Sequence, residues 1–178
     1  MILQALLLTL RLAVVVCVIL LLIALPLSYW LASSRWRGKF LVEALVALPI
    51  VLPPTVLGFY VLTAIGPLSP LGRWYHDLTG SSLAFTFRGL VVGSVLDSLP
   101  FAVQPMAAAF SSVDRKLLDA SAILGASTWR TFWNVMLPLG MPGVLAGLVL
   151  SFAHTLASSA WYSWSAETYR APRRLSPF

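Results

Sequence analysis

Residues 12–32, LAVVVCVILLLIALPLSYWLA, contain no charged side chain, and that one run excludes most folds open to a chain of this length. About 20 consecutive, mainly apolar residues let a helix cross the hydrocarbon core of a bilayer. Lipid offers no hydrogen bonds to the backbone, so a spanning segment must satisfy its own polar groups as a helix or in a closed barrel. Further runs at about 42–65, 89–110 and 139–157 predict four helical spans in one membrane domain. Composition supports this: 59% of the 178 residues are hydrophobic and 10% are charged, against roughly 25% charged in soluble domains. The first run is too long for a removable signal and is read as a retained span.

The formal charge of +6 does not point to nucleic acid, because the basic residues sit in short polar connections, where they orient spans. Arg35, Arg37 and Lys39 follow the first run, and Arg115, Lys116 and Arg130 follow the third. Between the second and third runs stand only Arg73 and Arg88, against Asp77. The first and third connections are therefore expected in the cytoplasm, with the N-terminus outside. Residues 66–82, rich in Gly, Pro and Ser, are expected to form an extramembrane loop. Cys17 is the sole cysteine, so no intrachain disulfide is possible.

Several polar or helix-breaking residues lie inside the spans. Pro49, Pro53 and Pro54 remove backbone donors from the second and force a kink or a break. In lipid such a break is tolerated where it is buried in protein or lines a cavity, so it is either a packing hinge or part of a translocation pathway. Asp97, Ser98 and Pro100 fall within the third span. Asp97 either faces a polar pathway or pairs with a neighbouring helix, whereas His154, late in the fourth span, is expected to be a hydrogen-bonded packing residue. Gly140, Gly143, Ala146 and Gly147 make a small-residue face suited to close helix packing. An enzyme built on Asp97, His76 and His154 is disfavoured, since these residues are scattered over a loop and two spans.

The polar stretch 112–138 reads as two short helices joined at a turn. Good helix formers run from Asp114 to Leu124, Gly125 can take the left-handed conformation that ends a helix, and Ser127 can cap the next. Trp129, Phe132 and Val135 are expected to present an apolar face to a partner's groove, and Pro138 to end the stretch and turn the chain back into the bilayer.

The spacing here resembles the EAA loop of ABC importer permeases: Glu-Ala-Ala, three residues, Gly, nine residues, an aliphatic residue, one residue, Leu-Pro. It stands here as Asp119, Ala120 and Ser121, then Gly125, then Val135, Leu137 and Pro138. Asp for Glu and Ser for Ala are conservative departures. The resemblance implies an all-α, polytopic transmembrane bundle of the ABC importer permease type. It also implies a coupling element that docks on a cytoplasmic ATP-binding subunit, here Asp119, Ala120, Ser121, Gly125, Ala126, Trp129, Val135, Leu137 and Pro138. The stretches LPIVLPPTVLGFY, LAFTFRG, SLPFAVQPM and LPLGMPGVLAGLVLSFAHTL look like molybdate permeases, close relatives of the tungstate and sulfate permeases. That likeness implies a multi-pass subunit of the bacterial inner membrane, a permease homodimer, and an extracytoplasmic molybdate-binding protein that delivers the oxyanion. No cofactor is expected on this chain, which has no P-loop glycine motif; ATP and Mg would be held by the partner ATPase. The implied pathway candidates are Pro49, Pro53, Pro54, Asp97, Ser98 and Pro100.

The likeness stops near Leu156. Molybdate permeases continue after His-Thr-Leu with a segment like GEFGVVLMVGGNIPGA and a further span, whereas this chain reads ASSAWYSWSAETYRAPRRLSPF. A synonymous-codon spelling of residues 157–172, read from the third base, translates as EFGVVLMVGGNIPGA. The expectation is a frameshifted tail over 158–178, about four spans of the family's five or more, and, as an alternative, a remnant that does not transport. Arginines 170, 173 and 174 would lie outside, against the positive-inside bias.

Overall fold

The computed structural model describes the backbone of residues 2–170, and side chains over the same range except Ile2, Gln4, Ala5 and 159–170. The tail read as frameshifted lies almost wholly outside the described side chains. Helices α1 (Ile2–Ser33), α2 (Lys39–Val51), α3 (Pro54–Ile65), α4 (Pro70–Thr79), α5 (Phe87–Ser111), α6 (Arg115–Ile123), α7 (Thr128–Thr131) and α8 (Leu137–Arg170) follow in order, with a π-turn, Phe132–Met136, between the last two. Three stretches are long and apolar enough to cross a membrane: Leu6–Ser33, Phe87–Ser111 and Thr128–Ser158.

Contacts between distant residues set the helix directions. Arg11 of α1 lies over the ring of Phe87 of α5, 5.4 Å from its centroid, and Ser28 Oγ donates to the Val103 carbonyl at 3.1 Å. Both helices advance together, so α1 and α5 are parallel. Against α5, α8 runs the other way: Gly140 meets Phe110, Gly143 meets Pro105, and Gly147 meets Ala102. Of the small-residue face expected from the sequence, Gly140, Gly143 and Gly147 thus make the α5–α8 contact, whereas Ala146 is exposed. A Cβ on Gly143 would collide with Ala109 Cβ and come within 2.6 Å of the Pro105 carbonyl oxygen. Leu12, Val16, Leu20, Met106 and Phe110 fill the core between these helices.

Parallel α1 and α5 require one return crossing between them, and α2 with α3 makes it. Lys39 Nζ, at the start of α2, donates to the Leu31 carbonyl at 3.4 Å, while Ile65, ending α3, packs with Leu83 and Ala84 beside the start of α5. The pair is bent by 115°, so the expected second span is two helices. Each is too short alone, at about 1.5 Å of rise per residue, for a core about 30 Å thick. The break falls at Leu52 (ψ 135°) and Pro53 (ψ 139°). Each precedes a proline, whose ring pushes the preceding residue out of the helical region. Pro49 instead stays within α2.

Residues 66–82 are not only a loop. They contain α4, because residues read as turn formers act as caps: the Ser69 hydroxyl accepts from the Gly72 N–H at 2.8 Å, Pro70 takes a first-turn position, and Gly80 closes the helix at φ 67°. Arg88 donates to the Tyr75 hydroxyl, tying α4 to the start of α5 and holding the phenol below its ordinary pKa.

Candidate functional site

The segment after α5 forms the helix, turn and helix expected of it. Asp114 caps α6, its carboxylate accepting from the Lys116 N–H at 2.9 Å. At the far end Gly125 adopts φ 77°. The Ala126 N–H then reaches the Ser121 carbonyl (3.1 Å) and the Gly125 N–H the Ala122 carbonyl (3.0 Å), the two bonds of a Schellman turn. Ser127 caps the next helix by accepting from the Arg130 N–H at 3.3 Å. A hydrogen bond between the Ser121 and Thr131 hydroxyls, 2.7 Å long, holds α6 against α7.

Neither α6 nor α7 has a buried residue. Asp119 is exposed, and so are Ile123 and Leu124 at 86% and Trp129 at 71%. Ala120, Ser121, Ala126 and Val135 line a groove of about 440 Å3 together with Leu117 and Arg130. A helix pair that leaves Ile123, Leu124 and Trp129 this exposed has the character of a docking surface.

Two expectations fail here. Phe132 is not presented outward: it is 7% exposed and packs on Tyr29 and Phe110. Nor does Pro138 end the helix, which continues from Thr128 to Ser158. The reason lies one turn earlier. Proline lacks an N–H and its ring crowds the carbonyl four residues back, and the preceding π-turn, in which the Leu137 N–H bonds to the Phe132 carbonyl, absorbs the misfit. The fourth span therefore grows directly out of α7 instead of starting afresh at 139. Leu137 is half-buried and Pro138 exposed.

Within the bundle, the structure joins two residues that the sequence left separate. His154 Nε2 lies 2.9 Å from Asp97 Oδ2, the two side chains 28% and 22% exposed, and the ring of Phe101 stacks on the imidazole at 4.1 Å. One residue further along each helix, the Ser98 and Thr155 hydroxyls are hydrogen-bonded at 2.9 Å. Of the two readings of Asp97, pairing with a neighbouring helix is the one the geometry shows. The signal was present in the sequence: two ionisable side chains in two apolar spans have strong reason to meet. Asp97 also borders a cavity of about 620 Å3 lined by Leu12, Pro54, Val61, Phe87 and Gly93 among others. Pro54 and Asp97 thus share a cavity, whereas Ser98 and Pro100 are buried inside the protomer, Pro49 is half-buried in α2, and Pro53 is exposed. His76 lies apart from this pair, on the exposed α4 beside Asp77. Among the described residues, no group of three or more His, Cys, Asp or Glu is placed to hold a metal ion.

Comparison with known proteins fits this architecture. Residues 24–169 match the family described as binding-protein-dependent transport system inner membrane component. The chain is 47% identical over 154 residues to the molybdenum transport system permease protein ModB of Azotobacter vinelandii, covering 86% of this chain and 68% of that protein. It is 39% identical over 134 residues to the protein of the same name from Haemophilus influenzae, covering 75% and 58%. For the Escherichia coli K12 protein of that name the identity is 35% over 153 residues, covering 86% and 67%. The chain thus spans 58–68% of the length of these relatives. With its helical membrane bundle and its exposed helix pair, this chain belongs to the family of binding-protein-dependent transport system inner membrane components.

Proposed function

We propose that this chain is the membrane-spanning permease subunit of an ATP-driven molybdate importer, working as a homodimer. Residues 119–138 dock on a cytoplasmic ATP-binding subunit, which holds ATP and Mg, and an extracytoplasmic binding protein supplies the oxyanion. The observation that carries this reading is the exposed, capped helix pair centred on Gly125, together with relatives named as molybdenum transport permeases. Orientation is argued from charge. Because α1 and α5 are parallel, Arg35, Arg37, Lys39, Arg115, Lys116 and Arg130 gather at one end of the bundle, which the positive-inside bias puts in the cytoplasm. The N-terminus is then outside. The cavity shared by Pro54 and Asp97 is the candidate pathway segment. Among the described residues its walls carry Asp97 and no Lys or Arg, so an oxyanion would rely on hydroxyls and backbone dipoles.

Gly125→Val tests the docking role. A β-branched residue at φ 77° is strained by about 1–2 kcal/mol, which corresponds to about a tenfold loss of the docking-competent turn. The ATP-binding subunit should co-purify poorly with this variant, and uptake of labelled molybdate by cells producing the complete transporter should fall in parallel. Normal co-purification and normal uptake would remove Gly125 from the coupling element. Competition by tungstate and sulfate in the same assay distinguishes the related oxyanions. A complex that assembles but takes up none of them supports the alternative, a non-transporting remnant.

A further inference from the structure

Neither α6 nor α7 has a buried residue, and the buried residues of 119–138, Phe132 and Met136, lie where the element enters the bundle. That point is the π-turn. Phe132, its first residue, touches both sides of the junction. Toward the membrane its ring meets Tyr29 of α1 edge-on at 4.9 Å and Phe110 of α5 at 6.3 Å. Toward the docking helix it lies 6.1 Å from Trp129 and 5.4 Å from Trp133. Phe110 in turn occupies the space that the missing side chain of Gly140 leaves on α8. One ring therefore bears on α1 and α5 directly and, through Phe110, on α8.

We propose that Phe132 is the positioning residue linking the docking element to the membrane helices, with the π-turn as the joint that seats it. This inference rests on the docking reading above. Close-packed interiors transmit displacement instead of absorbing it, so tilting α6 and α7 against the bundle drives Phe132 against Tyr29 and Phe110 and changes the angle between α1 and α5. The π-turn suits such a joint: its wider hydrogen-bond ring is a strained, local departure of the kind found at functional sites, and Pro138 leaves the Asn134 carbonyl without its usual helical donor. Trp129, largely exposed, is the contact face. Phe132, buried behind it, turns contact into movement.

The test uses the full chain with Cys17→Ala, assembled with its ATP-binding subunit in lipid nanodiscs. Spin labels at Val14→Cys of α1 and Leu90→Cys of α5, both exposed, report the distance between these helices before and after adding Mg and a non-hydrolysable ATP analogue. The expected result is a change in that distance with Phe132, its loss in Phe132→Ala while the ATP-binding subunit stays bound, and its recovery in Phe132→Tyr, which keeps the ring. Phe132→Leu, which keeps apolar volume without the ring, covers the case in which alanine prevents folding, and should also lose the change. An unaltered change in Phe132→Ala or Phe132→Leu, or no change with Phe132 in place and the subunit bound, overturns the inference. Failure of the ATP-binding subunit to bind the unsubstituted chain overturns the docking reading itself, and the inference with it.

Discussion

Gly143→Leu is expected to destabilise the α5–α8 contact strongly. At this position even a Cβ meets Ala109 and lies 2.6 Å from the Pro105 carbonyl oxygen, and neither can swing away as the tip of a flexible side chain would. The backbones of α5 and α8 must separate, which exposes Met106 and Phe110 and also loosens Gly147, whose own Cβ would lie 2.7 Å from the Ala102 carbonyl oxygen. Overpacking a close contact costs about 1–3 kcal/mol and occasionally more. In lipid this contact rests on van der Waals approach instead of water exclusion, so little is left to compensate. Thermal unfolding in detergent should show a markedly lowered midpoint. Val149→Leu, which adds bulk on the exposed side of α8, should leave the midpoint unchanged. If the two variants unfold alike, the close α5–α8 packing described here is wrong.

The second large effect concerns Asp97 and His154. Removing the imidazole by His154→Ala loses an interhelical hydrogen bond, which contributes about 0.6–1.7 kcal/mol between membrane helices. It also strands a carboxylate at membrane depth, where an aspartate costs about 2.5–3.5 kcal/mol on insertion scales. Both side chains keep some exposure, so the full sum is an upper bound. The asymmetry is the informative part. Asp97→Asn retains a hydrogen-bonding partner for His154 and should be mild, and the double variant Asp97→Leu with His154→Leu should be more stable than His154→Ala alone, because nothing charged is left unpaired. Chemical unfolding of the unsubstituted chain, Asp97→Leu, His154→Leu and the Asp97→Leu, His154→Leu double variant closes a double-mutant cycle. Additive losses, with the double variant the least stable, would show that the pair is not coupled.

The helix, turn and helix around Gly125 were legible in the sequence because every device in them is local. Gly125, Ser127 and Asp114 act on backbone groups within a few residues of themselves, so spacing alone announces the turn and the caps. The same locality explains why the long apolar runs read as helical, though not where the fourth begins or that the second is two helices. It also explains the error at α4, where Ser69, Pro70 and Gly80 carry one chemical signature for two structures: turn residues in a row and helix caps around a short helix look alike until the hydrogen bonds are seen. Pro138 misled for a related reason. A proline's effect depends on whether the turn before it can widen, and that depends on what holds Phe132 in place, which is Tyr29 and Phe110, far away in the chain.

By itself, then, the sequence determined that this is a helical membrane protein, where its helix, turn and helix around Gly125 lie, and which connections carry basic charge. Each of these follows from hydropathy, caps and charge counted along the chain. Tertiary structure alone decided that α1 and α5 are parallel, that α2 and α3 together make one bent crossing, that Asp97 meets His154, 57 positions further along the chain, and that Phe132 faces inward. These are relations between surfaces remote in sequence, selected by which helices pack closely enough to share a carbonyl, a ring or a missing Cβ.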